Sequence, residues 1–270
     1  TGWIYMTDIS KIKLISGWSN PGGSTVAHIN LVNLLNENGF NCTFYGPHTW
    51  HLGKCRSGHI YEAEPLDEED ILIMHYFKAN TRPTCKKMIL SCHETNMLPL
   101  KELDLQIFDV IHYVSASQKK WHSVNHPSVI IPNVVSKLKK SPLNTKVAGV
   151  IGSIDSHKQT HLAIKKALKD GWKEVRVYGE TTNRDYAMTH MAPILDNPKV
   201  IMMGHFDDKQ LMYDSIDAVY HCSKRETFNY IKVECEQTGV EYKGESSAES
   251  GAEYLSDKEI LEKWTKLLTT

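Results

Sequence analysis

Two glutamates eight residues apart, Glu226 and Glu234, are the acidic residues best placed to bind a polar ligand. Glu226 follows an apolar run at residues 218–222 that predicts a strand, and Glu234 lies two turns into the helix predicted next. In a parallel sheet, Glu226 would stand at the carboxyl end of a strand, where ligands bind. A carboxylate there can accept hydrogen bonds from hydroxyls while free N–H groups of the helix face an anion. The alternative is a pair of solvated glutamates on a helix surface.

Two further loops between a predicted strand and a predicted helix contain glycine. Gly22 and Gly23 precede the first helix, where glycine lets the backbone approach a ligand and the N–H groups favour an anion. This loop is neither a P-loop nor a complete G-x-G-x-x-G motif. Gly152 and Ser153 lead to Lys158, which could reach a phosphate over a helix N-terminus. The alternatives are an ordinary strand-to-helix turn and a solvated lysine.

Short apolar runs alternate with amphipathic segments along the chain, which is typical of parallel sheets with crossover helices. The strands are predicted at residues 11–16, 41–46, 71–76, 88–92, 110–115, 129–131, 146–151, 174–178, 199–203, 218–222 and 240–243. The first helix is predicted with Ser24 or Thr25 as its N-cap and Gly39 just past its end. Further helices are predicted at residues 161–169, 183–195, 208–215, 231–237 and 257–268.

This pattern predicts an α/β fold with two Rossmann-like β/α/β domains that face each other across a cleft. A polar linker at residues 132–144 follows the first series of strands. We therefore expect an N-terminal domain at residues 1–138 and a C-terminal domain at residues 139–270. The last helix is free to pack back toward the N-terminal domain.

Composition narrows the class of protein. The chain has 270 residues, of which 41% are hydrophobic and 23% are charged, as in globular proteins. Its 31 basic and 32 acidic residues leave a net charge of −1, which argues against a protein that coats a polyanion. No apolar run approaches the roughly 18–20 residues needed to cross a bilayer. The six cysteines have no framework spacing, so we expect a cytoplasmic protein with reduced thiols.

Three segments of the second half resemble the retaining glycosyltransferases of the GT-B type, specifically family 4 (group 1). Residues 147–158 (VAGVIGSIDSHK) resemble the entry to the family's nucleotide-sugar domain. Residues 199–220 resemble its next strand and helix, and residues 225–240 resemble its E-x7-E segment. In the first half the resemblance rests on the Gly22-Gly23 loop and on residues 89–93 (ILSCH), which are similar to the family's strand ending in histidine.

The chain departs from the family pattern at two places. Ser153 stands where the family has an arginine, so one cation of the expected diphosphate clamp is absent. Residues 227–229 are Thr-Phe-Asn where the family has Gly-Phe-Gly, so the loop that cradles the sugar has less backbone freedom. Both departures concern the affinity for the donor and not the fold.

The resemblance implies catalytic roles for three side chains. Glu226 would bind hydroxyls of the donor hexose as an electrostatic group, not as the nucleophile of a retaining glycosidase. Lys158 would neutralise the diphosphate leaving group, and His93 would face the cleft unless it only bonds to the backbone at its strand end. Glu234 would hold the ribose hydroxyls. The implied donor-binding residues are Gly22, Gly23, Gly152, Ser153, Lys158, Arg225, Thr227, Phe228, Asn229 and Glu234.

The function that this resemblance implies is transfer of a sugar, with retention of configuration, from a nucleoside-diphosphate sugar. UDP is favoured as the nucleotide. The resemblance implies that no bound metal is required, and no cofactor is expected, since the nucleotide sugar counts as a substrate. The acceptor is a glycan, a lipid-linked sugar, a protein or a modified DNA base, and a nucleic acid is the less favoured of these. Two alternatives stay open: a catalytically idle nucleotide-sugar-binding module and a sugar-nucleotide epimerase of the same fold.

Three other groups of residues suggest different chemistry, and each has a simpler interpretation. A metal site could be built on Asp207 and Asp208, but two acidic residues before a helix also suit its N-terminal dipole. A segment at residues 118–126 mixes basic and aromatic residues like a nucleic-acid contact, but an amphipathic helix with Trp121 buried is favoured. A variable loop is favoured over a zinc site for the set His48, His51, Cys55 and His59.

Overall fold

The structure is a computed structural model that describes residues 11–50, 52–76, 78–95, 104–245 and 251–270. The chain folds into two compact units. The first consists of Thr1–Val134 together with Gly251–Thr270, and the second consists of Val135–Ser250. The α-helices are α1 (Gly23–Glu37), α2 (Ala116–His122), α3 (Thr160–Lys169), α4 (Arg184–Tyr186), α5 (Ala192–Leu195), α6 (Lys209–Asp214), α7 (Tyr230–Thr238) and α8 (Asp257–Thr269).

The first unit is built on a parallel sheet in the order β3-β2-β1-β4-β5-β6-β7. These strands are β1 (Lys11–Ser16), β2 (Asn41–Gly46), β3 (Ser57–His59), β4 (Ile71–His75), β5 (Lys87–Cys92), β6 (Val110–Tyr113) and β7 (Ser128–Ile130). β4, in the middle of the sheet, is buried at every position, as expected where helices and loops cover both faces. β1 and β4 are neighbours, and their last residues, Ser16 and His75, are paired in the register.

The C-terminal helix α8 completes the core of the first unit. Its inward face carries Ile260, Trp264 and Leu268, each at most 3% exposed, packed in one cluster with residues of β1 and β4. The carbonyl of Leu267 accepts a hydrogen bond from Nζ of Lys87 on β5 at 2.6 Å. α8 begins with a capping box between Ser256 and Glu259, which fixes where the helix starts.

The second unit is a five-stranded parallel sheet in the order β10-β9-β8-β11-β12. Its strands are β8 (Val147–Ile151), β9 (Glu174–Tyr178), β10 (Val200–Gly204), β11 (Ala218–His221) and β12 (Glu241–Gly244). The chain winds outward from β8 in one direction and then from β11 in the other, which is the Rossmann order. The α/β fold with two Rossmann-like units is therefore confirmed.

Most predicted elements are found, with three local corrections. All predicted strands form within two residues of their expected ends, whereas β3, with the sequence SGH, was not predicted. The N-cap of α1 is Gly22 and not Ser24 or Thr25, and no side chain caps this helix. Instead, the Thr25 hydroxyl donates to the carbonyl of Asn20 at 2.6 Å. Gly39 follows α1 with φ +87, as predicted for a residue just past a helix end.

The third correction concerns α2, where Trp121 is half-buried and the buried side chain is Gln118. Gln118 accepts a hydrogen bond from the N–H of Val114 and donates one to the carbonyl of Glu94.

Within the described ranges, no helix is long and apolar enough to cross a membrane.

Candidate functional site

Two loops of the second unit meet where β8 and β11 end. The first loop joins β8 to α3 and contains residues 152–159, and the second joins β11 to α7 and contains residues 222–229. Because β8 and β11 are adjacent and the strand order reverses between them, this edge is the topological switch point of the sheet. Open α/β sheets bind ligands at that point, outside the carboxyl ends of the strands.

An ion pair between Lys158 and Glu226 links the two loops. Nζ of Lys158 lies 2.5 Å from Oε1 of Glu226, and the side chains are 25% and 12% exposed. The same carboxylate oxygen lies 3.1 Å from Nε2 of His221, the last residue of β11. Burial alone would raise the pKa of Glu226, but the charge of Lys158 and the hydrogen bond from His221 outweigh burial and lower the pKa to about 2. Glu226 is therefore ionised at neutral pH.

His221 is held by hydrogen bonds on both sides of its ring. Nδ2 of Asn229 donates to the Tyr242 hydroxyl at 2.7 Å, and that hydroxyl lies 3.1 Å from Nδ1 of His221. With Asn229 donating to the Tyr242 oxygen, the Tyr242 proton is directed at Nδ1, so Nε2–H donates to Glu226. Asn229 also caps α7, because its side chain accepts the N–H of Lys232. The start of α7 and the orientation of His221 are thus fixed by one side chain.

Asp155 shapes the loop that carries Lys158. Its Oδ1 accepts the N–H groups of His157 and Lys158 at 2.9 and 2.8 Å, and its Oδ2 accepts the hydroxyls of Ser153 and Thr182 at 2.6 and 3.1 Å. Burial would raise the pKa of Asp155, but these hydrogen bonds outweigh burial and lower it. Gly152 precedes this turn with φ +128, a conformation open to glycine.

The two loops are also tied through their backbones. Nε2 of His157 donates to the carbonyl of Arg225 at 2.8 Å, and the N–H of Lys224 donates to the carbonyl of His157 at 2.9 Å. Phe228 is 5% exposed and its ring packs against Tyr230 at 4.8 Å, so it anchors the second loop in the unit. Arg225 is exposed and Thr227 is partly exposed at the rim of this loop.

Glu234 lies on α7 within a second, buried group. Its Oε1 is paired with Nζ of Lys209, and its Oε2 accepts the Tyr213 hydroxyl at 2.8 Å. The Glu234 side chain is 3% exposed and that of Lys209 is 30% exposed. Lys209 also lies 5.5 Å from the ring centre of Tyr230. A ligand hydroxyl would therefore share Glu234 with Lys209 and Tyr213.

The remaining predicted site residues belong to the first unit. Gly22 and Gly23 stand at the uncapped N-terminus of α1, and the space where a Cβ of Gly23 would lie is open. His93 follows β5, is 8% exposed, and has its Nε2 3.0 Å from the Ser91 hydroxyl. The structure therefore brings together the predicted residues of the loops 152–159 and 222–229. Glu234 lies in a separate group of the same unit, and Gly22, Gly23 and His93 belong to the other unit.

His93 is one of four buried imidazoles, here called the histidine cluster: His28, His75, His93 and His112. The ring centres of His28 lie 4.5 Å from His75 and 4.6 Å from His93, and those of His93 and His112 are 5.9 Å apart. Burial is the main reason that the pKa values of His28 and His93 lie well below the usual value and that the pKa of His112 is lowered to about 4. These three rings are therefore neutral at pH 7.

Sequence reasoning missed His221, Asp155 and Lys209 as parts of these groups. A histidine one residue before the end of the apolar run AVYHC was a signal for a polar residue at a strand end. Aspartate in a loop three residues before Lys158 was a signal for a side chain that turns the backbone. Lys209 and Tyr213 are four residues apart on one helix, but nothing in the sequence showed that both face Glu234.

The alternative metal sites find no support among the residues that the structure describes. No group of three or more His, Cys, Asp or Glu side chains lies so as to hold a metal ion there. Asp208 is the N-cap of α6 and accepts the N–H of Leu211 at 2.9 Å, in line with the helix-start interpretation. Cys55 is buried, and His51 lies outside the described residues.

The chain has the GT-B fold, because its two Rossmann-like units match solved structures of GT-B glycosyltransferases. HepE of Anabaena in complex with UDP-glucose matches 89% of this chain and 81% of its own, with a TM-score of 0.68 and 13% identity. AviGT4, a glycosyltransferase involved in avilamycin A biosynthesis, matches 96% and 97%, with a TM-score of 0.66 and 15% identity. An alpha-glucosyltransferase (AGT) in complex with UDP matches 96% and 91%, with a TM-score of 0.67 and 14% identity.

No protein-family model matches the chain, and no curated protein sequence matches it. At 13–15% identity the three structures show the fold of this chain and not its substrates.

Proposed function

We propose that this protein is a glycosyltransferase that transfers a hexose from a nucleoside-diphosphate sugar, UDP-glucose first among the donors, with retention of configuration. The observation that carries the proposal is the Lys158–Glu226–His221 arrangement at the switch point of the second unit. Such a site offers a cation to a phosphate and an ionised carboxylate to sugar hydroxyls. Support also comes from neighbours of the same fold whose structures contain UDP-glucose or UDP.

In this proposal, Lys158 stabilises the leaving diphosphate. Its charge is balanced by Glu226, and a diphosphate brings more negative charge than one carboxylate, so a diphosphate can draw Nζ toward itself. Negative charge grows on the diphosphate as the glycosidic bond breaks, and a cation already in place lowers the energy of that state. The N–H groups at residues 227–229, before α7, would face the sugar and the phosphate.

Glu226 would hold donor hydroxyls and would not attack the sugar. Its Oε1 is engaged by both Lys158 and His221, and its low pKa makes it a weak nucleophile. Retention would then proceed without a covalent sugar–enzyme intermediate. Glu234, held by Lys209 and Tyr213, would accept the ribose hydroxyls.

We propose a cytoplasmic setting as well, because all six cysteines are unpaired.

The test compares two substitutions that the proposal separates. UDP, GDP, ADP and CMP are first titrated into the purified protein by calorimetry, and release of the nucleotide is measured with the matching sugar donors. Glu226→Gln should lower turnover by about 100-fold while the affinity for the free nucleotide changes less than about threefold. Glu234→Gln should weaken the binding of the free nucleotide by about tenfold, which is the scale of a hydrogen bond to a charged group.

Glu236→Gln is the matched control, because Glu236 is exposed on the same helix as Glu234. It should change neither quantity. A wild-type protein that binds none of the four nucleotides would refute the proposal. Nucleotide binding without turnover of any donor would favour the idle binding module. Ser153 supports that alternative, because it stands where the family has an arginine and so removes one cation from the expected diphosphate clamp.

A further inference from the structure

Two aromatic side chains are exposed together at the carboxyl edge of the first unit's sheet. Trp18 follows β1 and is 46% exposed, and Tyr76 follows β4 and is 40% exposed. Their ring centres are 6.2 Å apart, at an angle of 62°. β1 and β4 are the strands between which the order of this sheet reverses, so the pair stands at the switch point of the first unit.

The backbone that presents this pair is constrained. Tyr76 has φ +50, in the left-handed region that a tyrosine rarely adopts and that costs free energy unless the surroundings impose it. Trp18 is fixed through Ser16, whose hydroxyl donates to the carbonyl of Trp18 at 2.5 Å and accepts its N–H at 3.1 Å. The N–H of Gly17 donates to the carbonyl of His75 at 3.0 Å, which ties the two loops together.

A carboxylate is connected to the aromatic pair through His75. Nδ1 of His75 lies 2.7 Å from the Ser16 hydroxyl, and its Nε2 lies 2.6 Å from Oε1 of Glu94. Glu94 is 27% exposed, and its other oxygen accepts the N–H of His93 at 3.2 Å. Each carboxylate oxygen has a second lone pair, so Glu94 can accept hydrogen bonds from a ligand as well.

We propose that Trp18, Tyr76 and Glu94 form the acceptor subsite and that the acceptor group they take is a pyranose ring. The C–H face of a pyranose packs on aromatic rings, and its hydroxyls donate to a carboxylate. A negative rim residue disfavours the phosphate of a nucleic acid strand, so a neutral ring with many hydroxyls is the better match. Single exposed aromatic residues need no explanation, but an anchored pair does when one member has a strained φ and His75 connects the pair to a carboxylate. This inference rests on the proposed glycosyl transfer.

Saturation-transfer NMR on the intact chain tests the subsite directly. The probes are the methyl glycosides of glucose, galactose, mannose and N-acetylglucosamine. At least one of them should receive saturation from the wild-type protein. Trp18→Ala and Tyr76→Gly should each weaken its binding by about tenfold. Tyr76→Gly suits the fold, because glycine accepts φ +50 without strain. Glu94→Gln should weaken the same probe.

Tyr61→Ala is the matched control, because Tyr61 is 91% exposed in the same unit, beside the outer strand β3. It should leave the glycoside affinity within twofold of wild type. The subsite proposal is overturned if no glycoside binds, or if the Trp18 and Tyr76 variants bind glycosides as the wild type does. It is also overturned if these variants keep their glycoside affinity and lose only the binding of a single-stranded oligonucleotide. Nucleotide affinity is measured on the same samples, because the proposed function assigns it mainly to Lys158 and Glu234 of the second unit. A wild-type protein that binds no nucleotide would instead count against the proposed donor chemistry.

Discussion

Glu226 shows how neighbouring groups determine what a buried carboxyl can do. With a pKa of about 2, below its usual value of 4.5, Glu226 binds fewer protons in the folded chain than in the unfolded one. The group therefore stabilises the fold above pH 4.5, by on the order of 3 kcal/mol, and this contribution is lost as the pH falls toward 2. An acid limb in a pH–rate profile near neutrality would consequently come from a different group.

Lys158 should be the residue whose loss most weakens diphosphate binding. Lys158→Met removes the cation next to Glu226 and leaves that carboxylate with His221 alone. We expect UDP affinity to fall by about 1.5–3 kcal/mol, the scale of a charge-assisted hydrogen bond, in isothermal calorimetry. Lys169→Met, at the exposed far end of helix α3, which follows the Lys158 loop, is the control and should bind UDP as wild type does. Equal affinities in the two variants would show that the diphosphate binds elsewhere.

At the scale of elements, the histidine cluster makes the first unit sensitive to acid. The pKa values of His28, His93 and His112 are lower in the folded chain than the usual 6.5, so the unfolded chain binds more protons below pH 6.5. The contribution of these histidines to the free energy of unfolding is therefore fully present above about pH 6.5 and is lost as the pH drops toward 4. For each histidine that stays neutral, the loss between pH 6.5 and pH 5 is about 2 kcal/mol.

Urea titrations at several pH values between 7.5 and 5 measure this dependence. His28 is the histidine to change, because neither of its ring nitrogens has a hydrogen-bond partner among the described residues. His28→Leu should flatten the loss of stability with acid. His205→Gln, which changes an exposed histidine of the second unit, should leave the slope as it is. A His28→Leu slope equal to that of wild type would mean that His28 does not stay neutral.

α8 contributes the largest fully buried side chain of the first unit. Trp264 is 1% exposed and its ring lies 4.8 Å from that of His112. Trp264→Ala should lower the free energy of unfolding by about 3–5 kcal/mol, because the cavity would not fill, as measured by denaturant titration. Lys263→Ala, at the exposed neighbouring position, should change it by less than about 0.5 kcal/mol. Similar midpoints for the two variants would contradict the role of α8 in this core.

At the scale of the whole molecule, sequence patterns located nearly every strand because apolar runs mark buried strands in parallel sheets. The strand β3 escaped because Ser-Gly-His contains no apolar residue. The ion pair of Lys158 with Glu226 was not predicted as a pair, since residues 68 positions apart meet only through the adjacency of β8 and β11. The histidine cluster was missed for a similar reason: His75, His93 and His112 come from consecutive neighbouring strands, and their contact follows from strand order.

The two units present different side chains to a ligand at their switch points. In the first unit, Ser16 and His75 join the ends of β1 and β4. In the second, Lys158 and Glu226 join the loops after β8 and β11. The first edge thus carries a hydroxyl, an imidazole, a carboxylate and two aromatic rings, and the second carries a lysine paired with a carboxylate. A sugar acceptor and a diphosphate donor would need that difference.

Catalysis should not depend on a divalent cation. Mg²⁺ prefers carboxylate oxygens, and the two carboxylates of the switch-point loops are already engaged, Glu226 by Lys158 and His221, and Asp155 by four hydrogen bonds. In the proposed function, Lys158 would supply the positive charge for the leaving diphosphate.

Turnover of the donor in excess EDTA should therefore lie within about twofold of turnover in magnesium, a difference too small to represent a lost cation. Lys158→Met provides the matched comparison. If the lysine takes the role that a metal has elsewhere, magnesium should help that variant more than it helps the wild type. A hundredfold loss of wild-type turnover in EDTA would mean that the leaving group is stabilised by a bound metal and that Lys158 has another task.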